Sequence, residues 1–133
     1  MPGTEHYRNV GRHEVQLTPG VVALRIDESL LFTNARELPD VVQQQLAQYP
    51  DTRRVVLLMS PVNRIDFSGL TALRALHELL AARGIRLDLS EVKGPVLDAL
   101  RAGDWGGWFT GKLYLSHHQA MLDTAYDARH AHP

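Results

Sequence analysis

A short apolar run, Val55-Val56-Leu57-Leu58-Met59, is followed by Ile65-Asp66-Phe67-Ser68-Gly69-Leu70 and then by leucines at 73, 76 and 80. The run contains β-branched residues and is bounded by Ser60-Pro61, so it reads as a buried strand. The leucine spacing marks one face of a helix running from about Ser68 to Arg83. Gly84 suits the helix C-terminus, and Ile85, Leu87 and Leu89 alternate with Arg86 and Asp88 as a further strand. The hexapeptide therefore stands where a strand delivers the chain to a helix N-terminus. Unsatisfied backbone N–H groups and the positive end of the helix dipole meet a hydroxyl there. An anion suits such a place, as does a phosphate carried by Ser68. A Ser68 that only caps its helix suits it too, contributing about 1 kcal/mol, and the local pattern favours the cap.

The rest of the chain extends this strand–helix order. Residues 1–12 are polar and aperiodic, a flexible lead-in. His13–Leu17 alternates, Thr18-Pro19-Gly20 turns, and Val22, Leu24 and Ile26 alternate again, which predicts an antiparallel strand pair. Asn34 with Glu37 three residues later has the form of a capping box, and Leu38, Val42, Leu46 and Tyr49 mark a helix face ended by Pro50. Gly94-Pro95 can open a short helix carrying Val96, Leu97 and Leu100 to Gly103. Lys112–Leu115 reads as a short strand. Ser116 and Gln119 form a second capping box before a helix through Met121, Leu122 and Ala125, and residues 128–133 fray. The pattern specifies a single α/β domain over 13–127, with a mainly parallel or mixed sheet and helices packed on it.

Composition narrows the function. The chain has 133 residues, 44 % hydrophobic and 22 % charged, the balance of an ordinary soluble domain. The net charge is −1 and the only lysines are Lys93 and Lys112, so no basic surface argues for nucleic acid. The absence of cysteine excludes disulfides, thiolate zinc sites and a cysteine nucleophile. No apolar stretch approaches the ~20 residues that span a bilayer.

Candidate chemistry is sparse. Ser68 and Asp66 invite a nucleophile reading, but the glycine frame of a nucleophile elbow is missing and His77 lies more than two turns along the helix. A phosphate-cradling loop needs several glycines and a following lysine, whereas Gly69 stands alone. His117-His118 and His130/His132 lack metal-ligand spacing and read as solvent-exposed. Asp27, Glu28, Arg36 and Glu37 read as a solvated surface. Trp105-Gly106-Gly107-Trp108-Phe109 is either a docking patch or, by the favoured reading, a set of rings folded back onto the core.

The strand, Ile65-Asp66-Phe67-Ser68-Gly69-Leu70, the helix and Gly84-Ile85-Arg86-Leu87 together resemble the STAS domain. That domain is shared by bacterial anti-sigma-factor antagonists and the cytoplasmic C-terminal parts of SulP anion transporters. Two stretches look like the transporter branch in particular: residues 24–35, Leu-Arg-Ile-Asp-Glu-Ser-Leu-Leu-Phe-Thr-Asn-Ala, and Val92-Lys93-Gly94-Pro95-Val96. Tyr7–Glu14 is similar to the link that leaves the membrane domain in such transporters, and the resemblance covers about residues 7 to 125. It implies a four- to five-stranded mixed sheet with about four packed helices, the Ser68 helix start being the exposed functional end. It implies no catalysis and no cofactor. In the antagonist branch the serine matching Ser68 is phosphorylated by a partner kinase, and Phe67 stands where that branch usually carries a small polar residue.

Taken together, the resemblance implies a regulatory, protein-interacting domain of a proton- or sodium-coupled sulfate-type anion transporter. Such a domain lies at the cytoplasmic face of the inner membrane as part of a larger membrane protein, and is soluble as this piece. Its partners would be the transporter membrane domain or a regulatory protein, with a homodimer left open. The alternative is a free-standing antagonist switched at Ser68. A third reading, compatible with both, places an anion or nucleotide at the helix starts, with Asp66, Ser68, Gly69 and Gly94 as the candidate residues.

Overall fold

Five strands lie side by side in chain order: β1 (Gly11–Glu14), β2 (Val21–Ile26), β3 (Arg54–Leu58), β4 (Arg86–Ser90) and β5 (Leu113–Tyr114). The computed structural model describes residues 11–14, 19–31 and 33–130, with side chains for 19–31 and 33–123. β1 pairs antiparallel to β2, and every later pair is parallel. The parallel strands are joined by α1 (Glu37–Gln48), α2 (Phe67–Ala82) and α3 (Gly94–Ala102), and α4 (His117–His130) follows β5. Adjacent parallel strands taken in sequence order, with right-handed crossovers, place their connecting helices on one face of the sheet.

The buried side chains show that segregation. Val22, Leu24, Ile26, Val55, Leu57, Leu87 and Leu89 share one cluster with Leu38, Val42 and Leu46 of α1, Leu73, Leu76 and Leu80 of α2, and Val96 and Leu100 of α3. Period-two alternation in the strands meets a helical stripe in each helix. The opposite sheet face turns Val21, Ala23 and Val56 towards Ala120 of α4. Among the described elements, α4 covers that side, touching β2, β3, β4 and β5.

Most expected boundaries hold within two residues. α2 ends in a Schellman motif: Gly84 takes φ 72°, the Gly84 N–H reaches the Ala81 carbonyl at 3.0 Å, and the Ile85 N–H reaches Leu80 at 2.8 Å. Pro95 lies in the first turn of α3. Ser116 Oγ accepts the Gln119 N–H at 3.1 Å at the start of α4, as a cap should.

Other expectations need correction. β1 is Gly11–Glu14 rather than 13–17, and residues 15–18 lie outside the described ones. Gly11 and Arg12 thus belong to a strand, and α4 runs to His130; the remainder of the expected lead-in and tail lies outside the described residues. Asn34 does not cap α1. The residue before that helix is Arg36, which makes no side-chain cap, because a turn intervenes and Asn34 is used to close it. Asn34 Oδ1 accepts the Leu31 N–H at 3.0 Å and its Nδ2 donates to the Ser29 carbonyl at 2.8 Å. Tyr49 sits past the last turn of α1 and is exposed, not part of its buried face.

Candidate functional site

The start of α2 is fixed from beneath by the connection between β2 and α1. Ser29 Oγ accepts the N–H groups of Asn63 and Arg64 at 3.2 and 3.1 Å. The Leu30 N–H donates to the Arg64 carbonyl and the Asp66 N–H to the Leu30 carbonyl, each at 3.1 Å, around a parallel bridge between Leu30 and Ile65. Asp66 then leaves in extended geometry, φ −101° and ψ −174°, and its Oδ1 accepts the Gly69 N–H at 2.9 Å. Asp66 is therefore the cap, and Ser68 is not. A capping residue must stay outside the helical conformation, and Ser68 is already the second residue of the helix, half-buried. Aspartate caps as well as serine, so the Asp66–Gly69 spacing was a signal available in the sequence.

Gly69 has a packing reason to be glycine. A Cβ there would lie 2.3 Å from the Leu30 carbonyl oxygen and 2.6 Å from Ile65 Cγ1, so only a bare Cα lets α2 approach the Leu30–Ile65 bridge. Gly94, in contrast, opens α3 in free space, with no atom within 4 Å of where its Cβ would be. Lys93 Nζ donates to Asn63 Oδ1 and ties that helix start to the loop before α2. Asp66, Ser68, Gly69 and Gly94 are thus brought to one edge of the domain, beyond the carboxyl ends of the parallel strands, where α/β folds bind ligands. Within it the Asp66 carboxylate occupies a helix N–H that an anion would need. Phe67, 81 % exposed, projects beside Ser68. His77 Nε2 is engaged with Thr110 at 3.1 Å.

The α4 face holds a polar network that strand alternation concealed. Asp88 is fully buried, and its Oδ1 and Oδ2 accept Arg86 Nε and Nη2, both at 2.9 Å. Its Oδ1 also accepts the Lys112 N–H at 2.8 Å, and Arg54 Nη1 stands 3.8 Å from Oδ2. Ser90 Oγ, also buried, lies 2.8 Å from His117 Nδ1. Glu91 takes φ 55° and accepts the His117 N–H at 2.8 Å. The reading of His117-His118 as exposed is thus corrected for His117, which is half-buried and bonded; His118 is exposed. Lower on α4, the Tyr114 hydroxyl donates to Asp123 Oδ2, which also takes Lys112 Nζ at 3.2 Å. Burial first, and then that bond, push the Tyr114 phenol well above its usual range, while the same bond holds the Asp123 carboxyl below its own. Asp27 likewise carries an ion pair, to Arg25 Nε at 2.8 Å.

The STAS-domain family model matches residues 12–120. The chain belongs to the STAS domain family. This STAS domain is 33 % identical over 132 residues to sulfate transporter 1.2 of Arabidopsis thaliana, covering 92 % of the chain and 18 % of that transporter. It spans less than a fifth of the length of the curated relatives it first matches. Among solved structures, a Thermotoga maritima protein described as an anti-sigma factor antagonist superposes with a TM-score of 0.72 at 18 % identity, covering 86 % of this chain and 94 % of that one. Mouse Solute Carrier 26 family member A9, an anion transporter, gives 0.71 at 20 % identity, covering 86 % of this chain and 19 % of the transporter. At these identities the structures show the shared STAS fold, which agrees with the mixed sheet and four helices expected from the sequence.

Among the described residues of this STAS domain, no helix is long and apolar enough to cross a membrane and no group of three His, Cys, Asp or Glu could hold a metal. Trp105, Trp108 and Phe109 pack against the core, as the favoured reading had it, with Trp105–Gly107 forming a turn of 3-10 helix.

Proposed function

We propose that the chain is the cytoplasmic regulatory and protein-interaction STAS domain of a secondary active sulfate transporter. The observation that carries this reading is the 92 % of the chain aligned, at 33 % identity, with a protein named as a sulfate transporter. Sulfate movement itself would belong to membrane helices elsewhere in such a protein, and this domain would act on assembly, trafficking or regulation without catalysing a reaction. The α2 start is the surface for a regulatory partner: exposed Phe67 gives it an apolar anchor and Lys93 a cation. Deleting residues 12–120 from the full-length protein is expected to lower sulfate uptake or membrane abundance. Unchanged uptake and abundance would contradict a regulatory role.

A second reading is supported by the Thermotoga maritima neighbour, which this chain covers almost end to end. In it the domain is a free-standing antagonist switched by phosphate on Ser68. A phosphate of about −1.5 to −2 charges at the second helical position is favoured by the helix dipole and opposed by the Asp66 carboxylate two residues away. An anion or nucleotide at Ser68, Gly69 and Gly94 meets the same opposition. Nucleotide or sulfate titration followed at the amides of Ser68–Thr71 tests that reading; flat traces remove it.

A further inference from the structure

His77 is a titratable side chain that the proposed surface does not use. It lies in the middle of α2, 8 % exposed, against the connection between α3 and β5. Its Nε2 accepts the Thr110 N–H at 3.1 Å and stands 3.1 Å from Thr110 Oγ1. An amide N–H has no lone pair to offer, so this geometry requires a bare Nε2 and puts the ring proton of neutral His77 on Nδ1. The imidazole meets Trp108 edge-on at 5.4 Å and Phe109 at 5.7 Å, and Trp105 stacks on Phe109 at 4.6 Å. One ring thus fastens an aromatic connection of six residues, Trp105–Thr110, to α2.

That connection leads straight into β5, a strand of two residues. β5 is held by the Lys112 carbonyl to the Leu89 N–H, by the Tyr114 carbonyl to the Glu91 N–H, and by the Lys112 N–H to Asp88. The charged groups around the clasp are few. α2 itself supplies Arg74 and Glu78; the connection carries no ionisable side chain from Trp105 to Thr110; Asp104 before it turns its carboxylate towards Gly107. The strands beneath α2 present Leu57, Leu87 and Leu89. Glu78 attracts a proton to the ring, but burial outweighs it and holds the His77 pKa below its ordinary value.

The geometry points to a proton-operated clasp: protonation of His77 at Nε2 sets two N–H donors against each other, breaks the Thr110 N–H bond, leaves the ring only the Thr110 hydroxyl as acceptor, and loosens the Trp105–Phe109 rings from α2. The device is neutral and closed around pH 7 and opens on the acid side. Among the described residues, no carboxylate is hydrogen-bonded to the ring to hold it charged and closed.

Trp105 and Trp108 are the only tryptophans in the chain, so emission reports on this segment alone. As His77 takes up its proton on the acid side, followed by NMR, the emission of the intact protein is expected to shift to longer wavelength while far-UV circular dichroism stays constant. His77→Gln, whose side-chain carbonyl can accept the Thr110 N–H without titrating, is expected to abolish the shift. In the unmodified protein, the Thr110 amide proton is expected to lose exchange protection over the same pH range as His77 titrates by NMR. That NMR arm stands even if His77→Gln fails to fold. Constant emission through the His77 titration, a shift that survives in a folded His77→Gln, Thr110 protection that does not follow His77, or emission that moves only with global unfolding would each overturn the clasp.

Discussion

The two faces of the sheet are built from the same strands by different physics. On the α1–α3 face, alternate strand residues are leucine, isoleucine and valine, and three helices cover them. On the α4 face, Val21, Ala23 and Val56 form a short apolar strip, and β4 turns Asp88 and Ser90 inwards to meet charged and imidazole partners. The first face gains stability from removal of apolar area from water, at roughly 25 cal/mol per Å². The second depends on geometry, because a buried carboxylate is tolerable only while its hydrogen bonds are complete. One face should therefore tolerate conservative exchange of apolar residues, and the other should respond sharply to loss of a single partner.

The harshest way to break the polar face is through the glycine that lets the chain pass it. A Cβ at Gly111 would lie 1.7 Å from the Leu87 carbonyl oxygen, with that oxygen on a strand that cannot yield cheaply. Gly111→Ala should lose more than about 3 kcal/mol, at or beyond the usual cost of overpacking, read as a lowered urea midpoint. An unchanged midpoint would show that β5 is not held as described.

Next in size, Asp88→Ala and Leu57→Ala should each cost about 3 kcal/mol, the first from a broken buried ion pair and the second from a core cavity. A double-mutant cycle separates the two causes. Asp88→Ala should be coupled to Arg86→Leu by about 1 kcal/mol or more, whereas Leu57→Ala should be additive with Arg86→Leu to within about 0.5 kcal/mol. Equal coupling in both cycles would erase the distinction between the faces.

A smaller effect tests the start of α2. Asp66→Ala should cost about 1 kcal/mol as a lost cap, and Ser68→Ala no more than a few tenths. The reverse order in thermal or urea melts would restore Ser68 as the cap.

The smallest effect lies at the rim of the α4 face. Asp123 has its pKa lowered on folding from 3.8, chiefly by the Tyr114 hydroxyl, so its contribution is present above pH 3.8 and disappears as pH falls through the lower folded value. The side chain is about a third exposed, which limits the loss in Asp123→Asn at pH 7 to a few tenths of a kcal/mol. In alkaline absorbance titration Tyr114 should ionise well above the ordinary range of a phenol.

The contrast also explains what the sequence could tell. Leu73, Leu76 and Leu80, Leu38, Val42 and Leu46, and the Val-x-Leu patterns of β2 and β3 are read directly, because one covered face imposes its period on the chain. Arg86 and Asp88 share the same alternation, and a two-residue period cannot distinguish an outward face from one covered later by α4. Asn34 illustrates a different difficulty: its spacing to Glu37 matches a capping box, yet the intervening turn consumes its amide. At the candidate site, the strand-to-helix position of Asp66, Ser68 and Gly69 was legible. The contact that makes Gly69 necessary was not, since Leu30 lies 39 residues earlier in the chain.

The central claim, that this domain serves a sulfate transporter, is tested most directly by the native size and location of the protein that carries it. An antibody raised against residues 19–123 should detect, in fractionated source cells, a membrane-bound band several times larger than 14.9 kDa. A soluble band at that mass, with nothing larger in the membrane fraction, would contradict the transporter assignment and make phosphorylation of Ser68 the next measurement.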